Sequence, residues 1–217
     1  MERTEGLVLA IGDKNLSSWS MRPWLALKTS KLSFEEKNIV LDRPDTAENI
    51  RKYSPSGRVP VLIHGKTTIW DSLAICEYIA ELAPEAELWP ELRHERAHAR
   101  SIASEMHSSF SAIRSQLSMD IRLRMQVNHL TSDTVADIRR VVAIWKECLS
   151  KSSGPFLFGK FTIADAFYAP IVMRFRSYGI DVLDKAPKDY MENVCNYAPV
   201  QEWVAGAERE TNTKFSF

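Results

Sequence analysis

The sequence predicts a small mixed α/β domain followed by an all-helical one. Residues 1 to about 82 alternate short apolar runs with helical spacings. Strand signals cease after that point. Between the two regimes, APEAELWPE (83–91) reads as a polar, proline-bearing connection. The expected domains are therefore residues 1–83 and 91–217.

Each element has its own signal. LVLAI (7–11) reads as a buried strand and SWSMRPWLALKTS (18–30) as a helix. FEEKNIVL (34–41) is a second strand, followed by a short polar helix near 45–53. VPVLIH and TTIW flank the turn-like Gly65-Lys66 and read as a hairpin. DSLAICEYIAEL (71–82) is amphipathic, with Leu73, Ala74, Ile75, Tyr78 and Ile79 available for a core face. The first half is thus ordered β-α-β-α-β-β-α. Helical spacing then recurs near 91–118, 131–151, 162–176, 187–196 and 198–210. In SDTVADIRRVVAIWKECL, for example, Val135, Ile138, Val142 and Trp145 follow one another at three or four residues.

Composition removes several function classes. Apolar residues make up 45% and charged ones 26% of 217 residues, an ordinary balance for a globular protein. Lys+Arg and Asp+Glu both number 28, so no global field recruits nucleic acid or an anionic membrane. No apolar run approaches the roughly 20 residues that span a bilayer, and MERTEGLVLAIG does not read as a signal peptide. Cys76, Cys148 and Cys195 are far apart and odd in number, which is no disulfide framework. A cytoplasmic location is the expectation.

Three segments of the first half carry candidate chemistry. In NLSSWSMRPW, Ser17, Ser18 and Ser20 crowd a helix start, where a hydroxyl can cap an unpaired amide. In SPSGRVPVLI, Val59-Pro60 opens a strand, and a cis bond there would turn the backbone of Val59 outward to meet an extended peptide. Asp71-Ser72 begins the next helix; it can serve as a cap, or the helix end and Ser72 can bind a carboxylate while Asp71 pairs with an ammonium.

Taken together, the order and spacing of these segments resemble the cytosolic glutathione transferases. SSWSMRPWLAL is similar to the SSCSWRVRIAL-type segment of their zeta class. RVPVL and DSLAICEYI are similar to the family's VP-x-L and [E/D]-S-x-AI-x-x-Y-[IL] stretches, and GPFLFGKFTIADAFYAPIV to its segment ending in T-x-A-D. The resemblance implies a thioredoxin-like N-terminal domain, a helical C-terminal domain and glutathione as cosubstrate. It implies that Arg58, Val59 and Pro60 hold the cysteinyl backbone, and that Ser72 and Asp71 hold the γ-glutamyl end. It puts the thiol at Ser17, with Ser18 and Ser20 as alternates in the same turn. About 3% of a free thiol is ionised at pH 7, and a hydroxyl donor plus the positive helix end would raise that fraction. Trp19 and the 91–118 helix are expected to line the electrophile pocket, and Arg43, Arg51 or Lys52 to meet the glycine carboxylate. A small electrophile and a homodimer complete the picture; no metal, nucleic acid or membrane partner is expected.

Departures from the zeta pattern are specific. Trp19 replaces its cysteine, Gly57-Arg58 its Lys-Gln, and FSAIRSQL its IQPxQN, which weighs against maleylacetoacetate isomerisation. A glutathione-dependent isomerase, or a non-catalytic binding or assembly module of the same fold, is the alternative. Thr162 and Asp165 read as a capping pair. HERAH (94–98) spells the His-Glu-x-x-His of zinc hydrolases. Arg96 inside the motif and Ser104 in place of a third ligand make a solvated helix face the simpler account.

Overall fold

The computed structural model describes residues 6–211, so residues 1–5 and 212–217 of the two expected domains lie outside it. β1 (Leu7–Gly12), α1 (Ser18–Ser30), β2 (Glu35–Ile39), α2 (Thr46–Arg51), β3 (Val61–His64), β4 (Thr67–Trp70) and α3 (Ser72–Leu82) follow the expected order. A single 3-10 turn, Pro84–Ala86, occupies the connection. Helices α4 (Arg93–Ser108), α5 (Ser111–Gln116), α6 (Ser132–Lys151), α7 (Ile163–Ser177), α8 (Lys185–Asn196) and α9 (Ala198–Arg209) complete the described chain. None of them is long and apolar enough to cross a membrane.

The sheet is ordered β2-β1-β3-β4. β1 pairs parallel with β2 and antiparallel with β3, and β3 pairs antiparallel with β4. Successive side chains of a strand face opposite sides, and β1 is buried on both. Leu7, Leu9 and Ile11 enter the main core, whereas Ala10 joins Ile39, Ile50 and Val61 in a smaller one. Ile50 brings α2 onto that second face. β2 is shorter than FEEKNIVL suggests, because its pairing with β1 runs only from Glu35 to Ile39 and leaves Phe34, Val40 and Leu41 outside the ladder.

The expected helix over 91–118 is two helices. Phe110 adopts φ 61°, ψ 42°, a left-handed conformation that ends the α-helical ladder, and Ser109 before it is extended. Phe110 is buried, so packing of its ring holds a backbone turn that no glycine or proline announces.

The main core is continuous from the sheet through α1 and α3 into α7. Every residue of α7 except Arg176 is buried. Its start is fixed as the sequence suggests. The Thr162 amide and hydroxyl donate to Asp165 Oδ2 at 2.8 and 2.9 Å, and the Leu157 amide donates to Oδ1 at 3.1 Å. Asp165 is fully buried, so its removal strands these donors at about 1–3 kcal/mol each. Asp165→Ala is expected to lower unfolding stability by roughly 3 kcal/mol or more, measured by denaturant titration.

Candidate functional site

The start of α1 is a serine relay. Ser17 caps the helix, accepting from the Ser20 amide at 3.3 Å, and its hydroxyl donates to Ser20 Oγ at 2.8 Å. Ser20 Oγ also accepts from the Gly12 amide at 3.1 Å, which ties the helix to the end of β1. All three serines are buried. Ser18 differs from its neighbours in accepting a hydrogen bond from Arg174 Nη2 at 3.2 Å.

A cleft of about 590 Å³ opens beside this helix end. One wall is Ser56, Arg58, Val59 and Pro60, with a cis peptide bond between the last two. Val59 precedes the paired residues of β3, so its backbone stands beyond the ladder. The opposite rim is Trp70, Asp71 and Ser72, and Trp19 with His107 closes the side toward α4. The cleft therefore gathers Arg58, Val59, Pro60, Asp71 and Ser72, the predicted binding residues. Ser17 and Ser20 do not line it. Ser18 lines a neighbouring pocket that shares Trp19 with the cleft.

Asp71 holds the α3 end. Its φ of 77° is a left-handed value that asparagine and aspartate tolerate better than most residues. Oδ1 accepts from the amides of Leu73 at 2.8 Å and Ala74 at 3.3 Å, which leaves Oδ2 to face His107 Nε2 at 3.1 Å. Ser72 is buried, with Arg22 Nη1 at 3.5 Å from its hydroxyl.

Arg22 lies beneath the cleft. Its Cζ sits 4.3 Å from the Trp19 ring centroid and 4.6 Å from that of Phe167. Burial, followed by the charge of Arg114, pushes its pKa down to about 9, so it is still a cation at neutral pH. Its buried Nε has no hydrogen-bond partner. Cys76, also buried there, has its pKa pushed far up by desolvation and offers no thiolate.

His107 and Arg22 had no local signal. His107 on α4 reaches Trp19 and Asp71 only through the fold, and Arg22, a turn from Trp19 on α1, meets Ser72 only through the packing of α1 on α3. The three basic residues proposed for the glycine carboxylate lie elsewhere. Arg43 and Lys52 line a separate groove along α2, Lys52 bonding Asn49 at 2.8 Å, and Arg51 is exposed on that helix. HERAH lies on the first turns of α4. His98 meets Glu147 at 3.9 Å and the edge of Phe158, and among the described residues no group of three or more His, Cys, Asp or Glu is placed to hold a metal.

Comparison with known proteins places this geometry. The glutathione S-transferase N-terminal domain model matches residues 16–82 and the C-terminal domain model residues 126–206. Glutathione S-transferase Z1 of Arabidopsis thaliana is 30% identical over 162 residues, 71% of each chain. Glutathione S-transferase 1 of Dianthus caryophyllus is 28% identical over 188 residues, 85% of each chain. Among solved structures, a glutathione transferase homologue from Burkholderia GL BGR1 with bound glutathione superposes at TM-score 0.74 with 23% identity, covering 95% of this chain and 100% of its own. The chain belongs to the glutathione S-transferase family.

His107 supplies a direct check on the cleft's electrostatics. Burial lowers its pKa below the usual 6.5, the Asp71 charge opposes that, and Arg22 and Arg114 reinforce it. In Asp71→Asn the opposing charge is gone, so the His107 pKa is expected to fall further. Proton NMR titration of the His107 ring in the two proteins measures this, and a rise would contradict the arrangement.

Proposed function

We propose that this protein is a glutathione transferase that presents the glutathione thiol, as thiolate, to a small electrophile. The observation that carries the reading is the convergence of cis Val59-Pro60 and the Asp71-Ser72 helix end on one cleft beside the start of α1. The cysteinyl backbone of an extended glutathione pairs with Val59 as an added strand, next to Arg58 and Pro60. Its γ-glutamyl carboxylate meets Ser72 and the amides of the α3 start, and its ammonium meets Asp71. Those contacts aim the thiol at the N-terminus of α1, where the helix end and a hydroxyl lower its pKa. Every tenfold gain in the thiol's acidity corresponds to about 1.4 kcal/mol of preference for the thiolate.

Ser17 is the proposed thiol partner, and Ser18 is its rival. Ser20 is committed to Gly12 and Ser17. For Ser17 to donate to the thiol, its hydroxyl gives up Ser20 and the thiol reaches past the cleft lining to the start of α1. The fact that Ser17 donates to Ser20 favours a second reading, a glutathione-binding module without turnover, because fold alone does not confer chemistry. A homodimer and a cytoplasmic location go with the transferase reading.

Ultraviolet absorbance of the bound thiolate against pH tests it. Wild type is expected to titrate below free glutathione, and Ser17→Ala about one pH unit or more higher than wild type, with affinity for glutathione nearly intact. A change in Ser18→Ala instead transfers the role to Ser18. Tight glutathione binding with no thiolate signal in wild type would select the binding module.

A further inference from the structure

Arg22 on α1, Arg114 on α5 and Arg174 on α7 come together around Trp19 and Ser18. Arg114 Cζ lies 4.8 Å from the Trp19 ring centroid, and Arg22 lies 4.3 Å from it. Arg174 is 5% exposed and reaches Ser18. Among the described residues, none of the three has a carboxylate within 4.0 Å, the range in which exposed Arg100 and Arg140 each hold a glutamate. For Arg22 and Arg174, which are buried, this reverses the arrangement that stability alone favours, since a buried charge left unpaired is costly and an exposed pair contributes little.

The acids nearby are already engaged. Asp137 Oδ2 accepts from the Ile113 amide at 3.2 Å, and Asp71 faces the α3 amides and His107 rather than a guanidinium. What holds the arginines in place is backbone. Arg114 donates to the carbonyls of Met106 and, at 3.1 Å, Ser109, and Arg174 donates to the carbonyl of Leu117. These are the C-terminal ends of α4 and α5, whose partial charges orient a guanidinium without neutralising it. Burial, followed by Arg114, pushes the Arg174 pKa down to about 10, so it too remains charged at neutral pH. The chain as a whole has no net charge, so this surplus is local.

The pocket of about 300 Å³ at this spot has Ser18, Ser118, Arg114 and Arg174 on its polar side and Trp19 and Met119 on its apolar side. Trp19 is also a wall of the glutathione cleft. We propose that this pocket binds the carboxylate of the electrophilic substrate, so that the preferred electrophile is a small organic acid with an apolar body lying against Trp19. The substrate assignment rests on the transferase reading; the anion site itself is testable without it.

The probes are 3-nitrobenzoate and its neutral counterpart 3-nitrobenzamide, titrated calorimetrically into the full chain with and without saturating S-methylglutathione. The acid is expected to bind about tenfold tighter or more, the worth of one charge-assisted hydrogen bond. Arg114→Met, which leaves no buried carboxylate behind, is expected to abolish most of the preference. Arg174→Lys keeps the charge but not the planar fork and is expected to weaken it less; it carries the comparison if Arg114→Met melts early. Equal affinity for acid and amide, or a preference untouched by both substitutions, would overturn the proposal. Thiolate absorbance of the same proteins, with glutathione in place of S-methylglutathione, separates the two readings: a missing thiolate with the acid preference intact sinks the transferase and leaves the anion site standing.

Discussion

Burial of α1 between the two halves of the molecule is the constraint on which the site depends. The helix presents Met21, Leu25 and Leu27 to the common core, and Trp24 packs edge-on against Trp203 of α9 at 5.2 Å between ring centroids. The serines at its N-terminus are buried, so their hydroxyls and the unpaired amides beside them are satisfied from within the fold. The Ser17-Ser20-Gly12 relay does this on one side, and the hydrogen bond from Arg174 to Ser18 does it on another. The hydroxyls thereby acquire fixed positions relative to the sheet and α7. The same burial places Trp19 and Arg22, one turn apart, between the two pockets.

Charge is distributed around that helix end with a clear polarity. The acidic group, Asp71, is held by two α3 amides and a histidine at the cleft's rim, and the cationic groups lie deeper, around Trp19. Stacking on aromatic rings and bonding to helix C-terminal carbonyls lower the cost of keeping guanidinium groups there. They do not remove it, as the unpartnered Nε of Arg22 illustrates. The left-handed backbone of Asp71 follows the same logic, since uncommon conformations persist where the surroundings fix them and concentrate at functional sites.

Much of this architecture was legible because its determinants are local. Strand alternation in LVLAI, the proline before a strand, the Asp71-Ser72 helix start and the Thr162/Asp165 pair each act over a few residues, and each appears where its chemistry suggests. The break at Phe110 was hidden because it depends on where a buried ring packs, with no turn residue to mark it. β2 came out short because its length is set by the register it shares with β1, which no local pattern in FEEKNIVL marks. Arg114, Arg174 and His107 were invisible as a group, since they lie on three helices and no spacing links them. The serines show the limit from the other side: sequence places Ser17, Ser18 and Ser20 in one helix turn, but the partners that distinguish Ser18 and Ser20, Arg174 and the Gly12 amide, come from α7 and β1.

The far end of the described chain closes on its beginning. The Glu210 carboxylate accepts the amides of Lys14 at 2.6 Å and Asn15 at 3.0 Å, contacts separated by 196 and 195 residues along the chain, and Trp203 Nε1 bonds the Lys14 carbonyl at 2.9 Å. The loop that delivers the chain into α1 is therefore fastened by α9 and the residue that follows it. During synthesis the N-terminal sheet can form early, but the entry to its helix stays unfastened until α9 has left the ribosome and docked. The approach to α1 is thus clasped from the opposite end of the described chain, and loss of α9 with Glu210 would free that loop while leaving the sheet's own pairing intact.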